Sequence, residues 1–127
     1  MKRIILSGGG TGGHIYPAVA VAEALKRRLG NEVELLFVGA EGKIEMEKVP
    51  ALGYRIVGLP IAGLQRRLDW HNLAVPFKVL RSLRLARRTI RDFGADAVVG
   101  FGGYASAPVL WAAQRMDVPT VIQEQNS

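Results

Sequence analysis

Short apolar runs alternate along the chain with longer stretches in which apolar residues return every three or four positions. Arg3-Ile4-Ile5-Leu6-Ser7 is short, β-branched and closed by glycines, which reads as a buried strand. From Pro17 to Leu29, Ala18, Ala22, Leu25 and Leu29 recur at helical spacing and predict a helix with that face on a sheet. Pro17 at its start, Lys26-Arg27-Arg28 in its last turn and Gly30-Asn31 behind it are start and stop signals. Glu32 to Val38 reads as a second strand, after which Gly39 turns the chain. Lys43 to Leu52 reads as a short helix and Tyr54 to Leu59 as a third strand stopped by Pro60. A loop over 60–72 leads to a long helix, Pro76 to Phe93, with Val79, Leu83, Ala86, Ile90 and Phe93 as its core stripe. Ala97 to Gly100 predicts a fourth strand, Ala107 to Met116 a helix, and Thr120 to Gln123 a fifth strand.

Strands alternating with helices define an α/β fold: a parallel sheet with right-handed crossovers and helices on both faces. The 127 residues suffice for one domain with its own core, spanning 1–127. A hydrophobic fraction of 49% argues against disorder. Cysteine is absent, which removes disulfides and thiol chemistry and suits a reducing compartment. No apolar run reaches the ~18 residues that read as a membrane span. The apolar segment behind Met1 is too short for a signal peptide. A soluble, cytoplasmic protein is expected.

Charge changes this picture in one place. Between residues 66 and 91, Arg66, Arg67, Lys78, Arg81, Arg84, Arg87, Arg88 and Arg91 face a single acid, Asp69. The whole chain carries +6, so the remainder is close to neutral. A localised basic patch implies an anionic partner. On the long helix Arg81, Arg84, Arg88 and Arg91 oppose the core stripe, and Phe77 and Leu80 lie near them. Trp70 and Leu73 stand just upstream. Apolar side chains beside arginines fit an anionic bilayer surface. No nucleic-acid-binding motif accompanies the patch, and no nucleic acid partner is expected.

The candidate chemistry lies in three loops that leave strand ends, where ligands of parallel sheets sit. Gly8-Gly9-Gly10-Thr11-Gly12-Gly13-His14 places five glycines in six positions ahead of a helix. Its backbone can lie directly against a ligand, and the helix start behind it favours an anion. Thr11 offers a hydroxyl and Gly12 and Gly13 offer amides, which suits a pyrophosphate. His14 at the lip can take a proton from, or position, an acceptor hydroxyl. The second loop, Gly100-Phe101-Gly102-Gly103-Tyr104-Ala105-Ser106, is again glycine-rich. Its Tyr104 can meet a sugar, while Ser106 reads as a helix cap. The third loop, Gln123-Glu124-Gln125-Asn126-Ser127, contributes Glu124 as a weaker candidate acid–base group. His71 reads as a surface residue. Gly8, Gly10 and Gly13 also satisfy the dinucleotide fingerprint. A dinucleotide-binding oxidoreductase would need an acid after the second strand, and Glu41 is the nearest.

Gly8 to Pro17, Phe101-Gly102-Gly103-Tyr104 with Ser106 and Pro108, and Glu124-Gln125-Asn126 together resemble the amino-terminal half of the MurG family of peptidoglycan glycosyltransferases. The resemblance runs from Met1 to Ser127 with the motifs in order. It implies one Rossmann-like half of a GT-B enzyme, an inverting transfer of N-acetylglucosamine from UDP-N-acetylglucosamine to the C4 hydroxyl of the muramoyl sugar of lipid I, and neither metal nor cofactor. It implies that Thr11, Gly12, Gly13 and Asn126 approach the donor sugar and phosphates. Gly102, Gly103 and Tyr104 then serve substrate binding, and Trp70, Leu73, Phe77, Leu80, Arg81, Arg84 and Arg88 serve contact with the inner face of the plasma membrane. The donor domain of such enzymes lies outside this chain, so the chain alone is expected to be inactive. Its cleft face is then open to self-association. A non-catalytic module that binds a lipid or pyrophosphate is the alternative.

Overall fold

The computed structural model describes residues 1–8, 15–60, 74–102 and 106–123, without the side chains of 74 and 75. The elements are β1 (Lys2–Ser7), α1 (Ile15–Leu29), β2 (Val33–Ala40), α2 (Glu45–Ala51), β3 (Arg55–Leu59), α3 (Ala74–Phe93), β4 (Ala97–Gly100), α4 (Ser106–Arg115) and β5 (Thr120–Ile122). A 3-10 turn, Gly30–Glu32, joins α1 to β2. The strands form one parallel sheet in the order β3-β2-β1-β4-β5.

Alternation along each strand divides the apolar side chains between two cores. Ile5, Leu36, Val38 and Val98 pack with Ala86 and Ile90 of α3 and with Val109 and Ala112 of α4. Leu6, Leu35 and Phe37 pack on the other face with Ala18 and Ala22 of α1 and Val49 of α2. Burying each large apolar side chain contributes about 1.5–3 kcal/mol. The ion pairs from Arg88 and Arg91 to Asp92 are exposed, and such pairs contribute about 0–1 kcal/mol. The two cores therefore hold the fold, and the basic charge on α3 does not.

Several boundaries and faces differ from the sequence pattern. Helix α1 starts at Ile15, so Pro17 falls third, still within the first turn, where no amide hydrogen bond is lost. Strand β2 does not stop at Val38 but runs through Gly39 to Ala40, paired with Gly58 and Leu59. The buried Glu45 accounts for the glycine. A Cβ at Gly39 would lie 2.7 Å from Glu45 Cγ, while Glu45 Oε2 accepts the Ala40 amide at 3.1 Å. Leu29 and Val79, expected in the core, are exposed. Ser82 is the first buried residue described on α3, and the described side chains from 76 to 81 all lie outside the core.

Tyr54 locks the start of β3 to α1. Its ring packs 5.2 Å from that of Phe37, Lys26 Nζ stands 4.7 Å over it, and its hydroxyl donates to Glu23 Oε1 at 2.8 Å. Burial, followed by the bond to Glu23 and its negative charge, pushes the phenol up to about 12. A phenol whose pKa is raised on folding contributes its stability in full below the unfolded value of about 10 and loses it as pH climbs toward the folded value. The urea midpoint is expected to fall between about pH 10 and about pH 12, and Tyr54→Phe should flatten that part of the profile. Equal slopes in both proteins would remove Tyr54 from the account.

Candidate functional site

Parallel pairing makes every strand end on one edge. The chain moves from β1 through β2 to β3 on one side and returns on the other with β4 and β5. The carboxyl ends of β1 and β4 therefore flank the switch point, where ligands of such sheets sit. Backbone bonds carry the ladder past the strands. The Phe101 amide donates to the Ser7 carbonyl at 2.8 Å, Gly8 to Val38 at 3.2 Å, and Gln123 to Gly100 at 2.8 Å. Segments 9–14, 103–105 and 124–127 thus depart from three neighbouring strand ends. At the usual strand spacing the first and third departure points are about 10 Å apart.

Two helices begin at this edge. Helix α1 starts immediately after segment 9–14 and packs on one face, and α4 starts immediately after 103–105 and packs on the other. Their first residues, Ile15 and Ser106, are buried, which fixes both helix starts. Two helix N-termini at one crest favour an anion and can stabilise charge that develops on it.

Of the residues singled out in the sequence, Thr11, Gly12, Gly13, His14, Trp70, His71, Leu73, Gly103, Tyr104, Glu124 and Asn126 lie outside the described residues. Gly102 is half-buried, with φ +90°, a conformation that favours glycine. Ser106 is the first residue of α4 rather than a position before it. Phe77 and Leu80 are 68% and 45% exposed, as the helical period predicts, and Arg81, Arg84 and Arg88 are exposed beside them.

Three features escaped the sequence pattern. Trp111 of α4 is exposed with the Arg115 guanidinium 5.1 Å over its ring; the four-residue spacing of the pair was the available signal. Tyr16 is exposed, and its hydroxyl accepts from Lys48 Nζ at 3.3 Å, a contact between distant segments with no local signature. Glu41 shares a cavity with arginines of α3, again through tertiary structure alone. Among the described residues no helix is long and apolar enough to cross a membrane.

A parallel sheet of this order with helices on both faces is a Rossmann-like α/β fold, and it matches the amino-terminal domain of a GT-B glycosyltransferase. It superimposes with TM-score 0.85 and 31% identity on the crystal structure of Acinetobacter baumannii MurG, over all of this chain and 36% of that one. The chain belongs to the family described as the glycosyltransferase family 28 N-terminal domain, which it matches over residues 4–127. A relative from Porphyromonas gingivalis is 59% identical over 98% of this chain, and one from Parabacteroides distasonis is 57% identical over the same share. Both are named UDP-N-acetylglucosamine–N-acetylmuramyl-(pentapeptide) pyrophosphoryl-undecaprenol N-acetylglucosamine transferase. The chain spans about a third of the length of these curated relatives.

The backbone at Gly102 provides a check on the crest. Gly102→Ala is expected to lower unfolding free energy by about 1–2 kcal/mol, with Gly102→Asn costing less because asparagine tolerates positive φ. Urea titration of the two variants measures this. An alanine variant as stable as the parent would mean that the turn does not need that conformation.

Proposed function

We propose that this chain is the acceptor half of an inverting glycosyltransferase that makes lipid II from lipid I. The family match, together with three loops leaving adjacent strand ends at the switch point, is the observation that carries this reading. In the reaction the C4 oxygen of the muramoyl sugar attacks C1 of N-acetylglucosamine. The new C1–O4 bond forms as the bond from C1 to the β-phosphate oxygen breaks, and UDP departs with that electron pair. His14 receives or directs the proton leaving O4, with Glu124 as the weaker alternative. Thr11, the amides of Gly12 and Gly13, and Asn126 meet the donor sugar and phosphates. Gly102, Gly103 and Tyr104 hold the acceptor. Most of the donor site belongs to a second domain.

The enzyme then works at the inner membrane surface, because lipid I is a lipid. Phe77 and Leu80 enter the interface, with Trp70 and Leu73, while Arg81, Arg84 and Arg88 meet anionic headgroups at about 1 kcal/mol each.

The test is an NMR titration of the chain with a soluble lipid I analogue, UDP-N-acetylglucosamine and NAD in parallel. Shifts at Gly12, His14, Gly103 and Tyr104 with the lipid I analogue, and none with NAD, are expected. Tight NAD binding at the first loop without response to the analogue would sink the transferase reading in favour of a dinucleotide-binding domain. For the membrane, sedimentation with vesicles containing phosphatidylglycerol should show Phe77→Ser/Leu80→Ser binding about tenfold more weakly than the parent. Unchanged partitioning would remove this surface from the membrane.

A further inference from the structure

The face of the sheet opposite α3 carries a surface that the transfer reading does not use. Glu45 and Val49 turn the inner side of α2 into the fold and are buried. Ile44 and Leu52, which flank this helix, and Lys48 within it stand exposed. The three recur every fourth residue and so lie along one side of the helix. Tyr16 stands beside them, in the first turn of α1 and 61% exposed.

Lys48 joins the two helices without using up its donors. Its Nζ donates to the Tyr16 hydroxyl at 3.3 Å and stands 5.8 Å from the centre of that ring. The ammonium therefore sits at the hydroxyl end of the ring rather than over its face. An ammonium has three donors, and Lys48 enters no ion pair among the described residues. Its remaining donors and the Tyr16 proton are open to an anion. One cation between two apolar side chains and an aromatic ring complements a peptide with a free carboxylate. The carboxylate takes charge-assisted hydrogen bonds, and the apolar groups cover the peptide's side chains.

We propose that Tyr16, Ile44, Lys48 and Leu52 receive the peptide part of the acceptor, with Lys48 and the Tyr16 hydroxyl on its free carboxylate. The curated relatives are named for an N-acetylmuramyl-(pentapeptide) acceptor. The inference rests on the acceptor reading and adds to it a determinant of acceptor choice. Helices α1 and α2 pack on one face of the sheet and α3 on the other. With the lipid end of the acceptor at Phe77 and Leu80 and its sugar at the crest, the peptide crosses to the α1 and α2 side, away from the membrane. Five extended residues span at most about 17 Å. Tyr16 stands two residues past segment 9–14 and Lys48 touches it, so both lie within that reach.

Calorimetric titration of the 127-residue chain compares two soluble lipid I analogues, one with the pentapeptide and one without it. The peptide form should bind about fivefold more tightly. Lys48→Gln should erase that difference by weakening the peptide form alone. Amidating the free carboxylate of the peptide should do the same, and the two changes together should cost no more than either. Arg28→Gln makes the same charge change in the last turn of α1 and should keep the difference within about twofold of the parent's. Lys48 and Arg28 are exposed, so both variants fold. Equal affinity of the parent for both analogues, or a difference that survives Lys48→Gln, would overturn the proposal and leave the acceptor reading standing. Binding of neither analogue would overturn both. Dimerisation of the chain abolished by Leu52→Ser would give this face to a second copy and overturn the proposal as well.

Discussion

The functional edge depends on the hydrogen-bonded ladder of β1. This strand is paired on both sides, to β2 from Lys2 to Ser7 and to β4 from Ile4 to Ser7. Parallel pairing sends every strand end to one side, and the strand order reverses beside β1, which is where ligands of such sheets sit. The further bonds from Phe101 to Ser7 and from Gly8 to Val38 hold the loop origins in register. Packing of the two cores fixes the helices that start from those origins. Function in this fold is thus a property of the backbone before it is a property of any side chain.

The molecule handles negative charge in two physically different ways. At the switch point, two helix starts supply fixed partial charge with no side-chain entropy to lose. On α3, flexible arginines supply full charges that water screens. The first arrangement suits a phosphate that must be held in one place while a bond breaks. The second suits attraction and capture at a surface. The fold can place arginines on α3 because its stability rests on Ala86, Ile90 and Phe93 on the opposite side of that helix.

Much of this was legible in the sequence. The alternation of β-branched runs with helical stripes gave the order of elements, and Phe77 and Leu80 fell off the core face by helical period alone. Other features depend on three-dimensional neighbours. Val79 matches the stripe of α3, but the core begins only at Ser82, and no local pattern says where a helix begins to meet its sheet. Leu29 fails for the same reason at the end of α1. Gly39 looked like a turn because glycine usually breaks strands. Here it makes room for the buried Glu45 side chain, which no periodicity announces. The family was legible in the glycine motifs, because few folds need such a density of glycine between strand and helix. The meeting of Glu41 with Arg81, Arg84 and Arg88 was not, since Glu41 lies far from them in the sequence and no local pattern joins the two.

The connection after β4 changes sides. Phe101 is buried in the core beneath α1 and α2, Gly102 takes a positive φ, and α4 then packs into the core beneath α3. Phe101 and the first turns of α4 thus belong to opposite cores although they are neighbours in sequence. The sheet otherwise insulates the two cores from one another, so repacking either one shifts the carboxyl end of β4 and the start of α4 relative to each other. Substitutions deep in a core can therefore change the spacing of the two elements that frame the crest.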